Sequence, residues 1–175
     1  MGLRRFGSMV VLAGCVLGGS ISSGFSAKDT AVTSSGLPVP RYVSLKSDHV
    51  NVRAGPTKDN DVAWVYTRSG LPVEITAEFE NWRRVRDSEG AEGWVYHSLL
   101  SGRRTAVITM KNKEDLAPIH DRADSASAVA ARLQAGVVAQ VKHCTAGWCH
   151  VSGNGFDGWI EQQRLWGVYA DEKVD

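Results

Sequence analysis

The chain has 175 residues, with 20 Lys and Arg against 19 Asp and Glu, and three cysteines. That length holds one sizeable domain or two small ones. A charge balance this close to neutral lacks the basic excess that nucleic-acid or anionic-membrane partners demand, so no nucleic acid is expected.

Residues 1–27, MGLRRFGSMVVLAGCVLGGSISSGFSA, run from a basic start through an apolar stretch at Met9–Leu17 to small residues ending at Ala27. This is the layout of a secretory signal peptide, and the apolar stretch is too short to span a bilayer. Cleavage after Ala27 would place the chain in the periplasm without Arg4 and Arg5, leaving 18 basic residues against 19 acidic. A second reading stands beside this one. Leu12–Cys15, LAGC, is similar to the lipobox of bacterial lipoproteins, in which Cys15 becomes a lipidated N-terminus. No transmembrane segment is expected in the mature chain. Residues 28–40 are polar, hold one glycine and two prolines, and show no apolar periodicity, so they read as a flexible linker.

From Arg41 the chain repeats itself. Gly70 precedes Trp82 by twelve residues, as Gly136 precedes Trp148, and Val85 and Val151 each follow three places on. EGWVYHSLLSG at Glu92–Gly102 answers DGWIEQQRLWG at Asp157–Gly167. An offset of 65 or 66 residues shared by several landmarks marks two copies of one small domain. We place them at 41–102 and 103–168, followed by a C-terminal tail at 169–175.

Each copy reads as β. HVNVRA alternates Val50 and Val52 with polar neighbours and stops at Gly55-Pro56. LPVEITAEF sets Val73, Ile75, Ala77 and Phe79 against Glu74, Thr76 and Glu78. WRRVR and GWVY follow, parted by the polar turn DSEGAE. Copy two has VVAQVKHC, WCHV and GWI in the same order. Ser125–Gln134 has helical propensity, but its place in the repeat predicts a strand. About five short strands in about 60 residues predict a small barrel in each copy.

VNVRAGPTKDNDVAWVYTRSGLPVEI followed by NWRRVRDSEGAEGWVYHSLL resembles the bacterial SH3-like domain: a strand ending in an R-x-G-P turn, then G-x-x-V, W-x-x-V and G-W-V. GWC and LWGVY are similar to stretches in alphaproteobacterial exported proteins that carry this domain in tandem. The resemblance covers about 125 of the 175 residues. Copy two departs where LAPIHDRADS replaces VRAGPTKDN, so its first loop should differ in shape.

Trp94 and Trp159 each follow a glycine at matching points and read as core or rim positions. Trp82 and Trp148 fall at hairpin tips, where a half-exposed ring and a buried one are both open readings. Trp64 and Tyr66 occur in copy one alone, copy two having Ala130 and Arg132 nearby. An aromatic that one copy lacks is not required by the fold. Trp64, Tyr66 and Tyr96 are therefore expected on an exposed ligand-binding face, with Trp82 as a further candidate. Arg84 and Arg86 share a strand face within reach of acids such as Glu74, Glu78 and Asp87 and read as surface partners of these, or, together with Arg53, as partners of a ligand's carboxylates or phosphates.

Cys144 and Cys149 bracket a TAGW loop in an oxidising compartment and predict a disulfide bond. The matching positions in copy one are Glu78 and Arg83, an expected cross-strand ion pair. Strict alternation with Cys opposite Cys would put Val141 and Val151 on different faces, so a bulge or a wider loop is required. His143 and His150 do not make this a metal site, because strand neighbours point to opposite faces. No metal or other cofactor is expected. No catalytic motif or spare cysteine nucleophile is present, and the chain reads as a non-enzyme. The resemblance implies a cell-envelope binding module for peptidoglycan or its peptides. The alternatives are an envelope assembly or scaffold protein that binds another protein, and an activator of a wall enzyme.

Overall fold

The computed structural model describes residues 34–112 and 114–175. The expected signal peptide, Cys15 and residues 28–33 of the expected linker lie outside them. Among the described residues no helix is long and apolar enough to cross a membrane.

The described chain forms two antiparallel sheets of seven strands, each curled into a small barrel. The first comprises β1 (Arg41–Leu45), β2 (Val50–Arg53), β3 (Val62–Tyr66), β4 (Pro72–Phe79), β5 (Trp82–Arg86), β6 (Glu92–Tyr96) and β7 (Leu100–Ser101). The second comprises β8 (Thr105–Ile108), β9 (Leu116–His120), β10 (Val129–Gln134), β11 (Val138–Thr145), β12 (Trp148–Gly153), β13 (Phe156–Glu161) and β14 (Leu165–Trp166). Their orders, β3-β2-β6-β5-β4-β1-β7 and β10-β9-β13-β12-β11-β8-β14, are the same order twice. The strands beyond the expected five include the two-residue β7 and β14, each entered through a 3-10 turn. β10 is a strand, as the repeat predicts.

Alternation fills both cores. Val50, Val52, Val73, Ile75, Val85 and Val95 close the first barrel, and Ile108, Ile119, Val141, Val151 and Ile160 the second. Each such side chain contributes on the order of 1.5–3 kcal/mol by leaving water. The glycine before each G-W tryptophan is forced by close approach. A Cβ on Gly93 would clash with Val52 and sit 3.1 Å from the Trp64 ring. One on Gly158 would lie 2.7 Å from the His120 carbonyl oxygen.

The register shift required around the cysteines is a β-bulge, and both copies have it. Val141 pairs with Val151 and His143 with His150, leaving Lys142 as the extra residue. In barrel one Ile75 pairs with Val85 and Ala77 with Arg84, leaving Thr76. Beyond the bulge Cys144 faces Cys149 and forms the disulfide, while Glu78 faces Arg83 and forms an ion pair at 3.1 Å. The disulfide lets the second core run on to Val168 and Val174.

Glu78 also corrects the reading of the linker. Its side chain is fully buried, and a buried carboxylate must be surrounded by donors. Arg41 pairs with it at 2.5 Å, and Ser35 donates to it through its N–H at 2.9 Å and its hydroxyl at 2.8 Å. Residues 34–40 are thus fastened to barrel one rather than loose. The C-terminal segment is fastened as well: Cys144 N–H donates to the Val174 carbonyl at 2.9 Å, and Val174 N–H to the Cys144 carbonyl at 3.3 Å.

The two barrels meet along the outward faces of β1, β4 and β8. Tyr42 packs against Trp166 edge-on at 5.3 Å between centroids, and against Tyr169 at 4.6 Å. The Tyr169 hydroxyl donates to Glu74 at 2.9 Å, and Arg86 pairs with the same carboxylate. Burial, aided by the Glu74 charge, pushes the Tyr42 hydroxyl up to about 12 and raises that of Tyr169 further. Arg104 holds Glu172 at 2.7 Å, and Glu172 in turn accepts the Tyr169 N–H at 2.8 Å.

Glu78→Ala should lower stability by about 3 kcal/mol, because it strands the buried Arg83 charge. Replacing both Cys144 and Cys149 by Ser should cost about 2 kcal/mol, the loop being short. Urea denaturation measures both. Burial alone would raise the Glu172 carboxyl, but hydrogen bonds from Arg104 and the Tyr169 N–H outweigh it and leave it below the usual range. Its contribution is complete above the unfolded value and lost as pH falls through the depressed folded one. The near-ultraviolet circular dichroism of the Tyr42–Trp166–Tyr169 cluster should accordingly hold at neutral pH and fade only below about pH 4.

Candidate functional site

Alternation in β5 and β6 puts Val85 and Val95 inside, and so directs Trp82, Arg84, Arg86, Trp94 and Tyr96 outward. Cross-strand register arranges them in three rows. Phe79, Trp82 and Tyr96 form the first; Ala77, Arg84, Trp94 and Arg53 the second; Glu74, Arg86 and Glu92 the third. Five of the seven residues expected in a binding site (Arg53, Trp82, Arg84, Arg86 and Tyr96) therefore share one outer face. Phe79 and Trp94 join them. Trp94 is half-buried there, on the face opposite the core.

The face is aromatic at one end and ionic at the other. Phe79 is 48% exposed, whereas Trp82 beneath it is 8% exposed and meets Tyr96 edge-on at 5.4 Å. Trp82 therefore supports the patch more than it displays itself. Arg84 is exposed and pairs with Glu92 at 2.6 Å. Arg53 donates to the Asn60 carbonyl at 2.6 Å and so secures the loop between β2 and β3. Arg86 belongs to the joint between the barrels through Glu74.

Trp64 and Tyr66 lie elsewhere. They pair with Val52 and Val50, face the core side, and meet edge-on at 6.0 Å over the first barrel's interior. Tyr66 donates to Asp87 at 3.0 Å, and burial followed by the Asp87 charge raises its hydroxyl well above the usual value. The expectation of an exposed face fails for both. Ala131 pairs with Ile119 and Leu133 with Ala117, as Trp64 pairs with Val52 and Tyr66 with Val50, so Ala131 and Leu133, not Ala130 and Arg132, are their counterparts in copy two. Ala131 and Leu133 also pack on the core, so the position is apolar in both copies and larger in one.

Barrel two carries the same face with different chemistry. Its middle row reads His143, His150, Trp159 and His120. His150 stacks on Trp159 at 5.1 Å and 19°, and contacts Asp157 at 2.7 Å where barrel one has Arg84 and Glu92. Hydrogen bonds from Lys142 and His150 hold the Asp157 carboxyl below the usual range. The first loop differs in sequence, but one contact recurs: the Ser127 carbonyl meets His120 Nδ1 at 3.2 Å where the Asn60 carbonyl meets Arg53, and the Ser127 hydroxyl donates to the Asp124 carbonyl at 2.8 Å. Among the described residues no group of three or more His, Cys, Asp or Glu is placed to hold a metal ion.

Trp64→Ala should lower stability by about 3 kcal/mol, as a core truncation does. Phe79→Ala, on the surface, should stay within about 0.5 kcal/mol of the parent. Midpoints of urea denaturation separate the two.

A comparison with curated proteins finds no match. Among solved structures, NlpC2 from Trichomonas vaginalis is 15% identical, with a TM-score of 0.32 over 73% of this chain and 48% of its own. NlpC1 from the same organism is also 15% identical, with a TM-score of 0.31 over 79% of this chain and 49% of its own. This chain spans about half the length of either, and at these scores neither likeness bears on function. The model of the family described as bacterial SH3 domain matches twice, at residues 46–102 and 113–167. The matches cover both barrels and well over half of the chain, which belongs to the bacterial SH3 domain family.

Proposed function

We propose that this chain is a non-catalytic binding module of the cell envelope, exported to the periplasm, that holds peptidoglycan or its peptides on the outer face of barrel one. The observation that carries the reading is the row of Phe79, Trp82 and Tyr96 beside Trp94 and Arg84 on one sheet face. Rings already held by edge-on packing lose little freedom on binding, so an extended ligand laid across β4, β5 and β6 meets apolar surface at low entropic cost. Arg84 adds a cation whose present partner, Glu92, is itself part-exposed and can be exchanged for a ligand carboxylate. Among the described residues both cysteines are consumed in the disulfide, and no serine stands in a hydrogen-bonded triad with the His150–Asp157 pair.

The test is co-sedimentation of the protein, from Lys28 onward, with purified sacculi at low and high salt. Retention should survive high salt, since apolar contacts are not screened as surface charges are. Trp94→Ala and Phe79→Ala should each weaken retention about tenfold, the worth of one well-used aromatic contact. Absence of retention, or retention indifferent to both substitutions, overturns the reading and favours an envelope protein as the partner.

A further inference from the structure

Beside the joint between the barrels lies a cleft of about 280 Å³ that the outer face does not include. Barrel one lines it with Ser44, Lys46 and Ser69, and the junction and barrel two with Arg103, Thr105 and Gln140. No carboxylate lines it. Neither the Lys46 ammonium nor the Arg103 guanidinium has an ion-pair or hydrogen-bond partner among the described residues, in contrast to Arg41, Arg53, Arg83, Arg84, Arg86 and Arg104, all of which do. Arg68, next to Ser69, spans from one barrel to the other by donating to the Gly136 carbonyl at 3.2 Å.

The wall of the cleft adds an independent sign. Ala106 and Ile108 of β8 enter the second core, so Thr105 and Val107 face barrel one. Thr105 is 6% exposed, and its hydroxyl oxygen, shielded from solvent behind the cleft wall, has no hydrogen-bond partner. Buried hydroxyls are nearly always satisfied, and one left unpaired is a standing cost to the fold. An unspent hydroxyl beside two unspent cations, with no acid present, is an arrangement for a small anion that can also accept a neutral hydrogen bond. A carboxylate fits this better than an apolar group or a sugar. The guanidinium offers it a two-pronged donor, and the ammonium a point charge.

We propose that this inter-barrel cleft binds the carboxylate of a short peptide, with Arg103 and Lys46 as its cationic partners and Thr105 supplying a hydroxyl by rotation of its side chain into the cleft. Free peptides and the peptides of a wall polymer both present that group. The site does not depend on the outer-face reading. It requires both barrels, since residues from each line it, which gives the tandem arrangement a use that a single barrel lacks.

The experiment is a titration, followed by calorimetry and by amide shifts, with N-acetyl-Ala-Ala bearing a free carboxylate and with the same dipeptide as its C-terminal amide. The acid should bind at the cleft, and the amide about tenfold more weakly or not at all, as the loss of a charge-assisted contact dictates. Arg103→Ala should weaken the acid about tenfold and leave the amide unchanged. Lys58→Ala, which removes an equal charge on a distant loop, should change neither. Thr105→Val should raise the urea midpoint while weakening the acid, a pairing that misfolding cannot produce. Equal binding of acid and amide, or indifference to Arg103→Ala, overturns the proposal. A wall-peptide acid released from sacculi that binds where Ala-Ala does identifies the polymer as the source. Binding of the acid by a protein that sacculi fail to retain sinks the outer-face reading and leaves the cleft standing.

Discussion

Glu74 is the residue on which the arrangement of the two barrels turns. Its carboxylate is nearly buried at the joint, yet it accepts from Arg86 of its own sheet and from Tyr169, 95 residues away in the C-terminal segment. Tyr42 closes the same joint by packing against Trp166 and Tyr169. A buried ion pair seldom adds much net stability, because desolvation offsets most of the attraction. Its effect here is to favour one docking of the barrels over others, since any other placement would take the Tyr169 hydroxyl away from Glu74 while Arg86 stayed with it. The cleft lined by Lys46, Arg103 and Thr105 exists only in that docking.

The two copies show which features the fold demands and which it leaves free. Both keep the bulge, the glycine pressed against β2 or β9, and an outward tryptophan next to a basic residue that meets an acid. What closes the barrel beyond the bulge is free to vary. Copy one uses the buried Glu78–Arg83 pair, which also captures residues 34–40; copy two uses a disulfide, which also captures Val174. Beside the tryptophan, copy one has Arg84, paired with Glu92, and copy two has His150, stacked on the Trp159 ring. The faces match in geometry and differ in the side chain set against the tryptophan.

Much of this was legible in the sequence because it is local or repeated. Shared offsets expose the duplication, alternation marks the strands, and the clash between Cys-opposite-Cys and the valine faces requires a bulge or a wider loop, of which the structure contains the bulge. Trp64 and Tyr66 went wrong for a related reason. Counting along the chain from the shared glycines aligns them with Ala130 and Arg132, whereas copy two has one residue fewer between this strand and Gly136, so the pairing with β9 makes Ala131 and Leu133 the counterparts and reveals a core position. Trp94 could have been placed outward from Gly93 and Val95 alone. The joint could not: Glu74, Arg86, Arg104, Tyr169 and Glu172 are ordinary surface types until the folded chain brings them together.

The central claim is that the barrels form one unit held by this joint, and hydrogen exchange under mild denaturant tests it most directly. The slowest amides of β4 and β11 should open with the same free energy in the parent protein, and with two different ones in Tyr169→Ala. Two different opening energies in the parent, or no separation on removing Tyr169, would show barrels that merely adjoin, and the account of the joint and its cleft would be wrong.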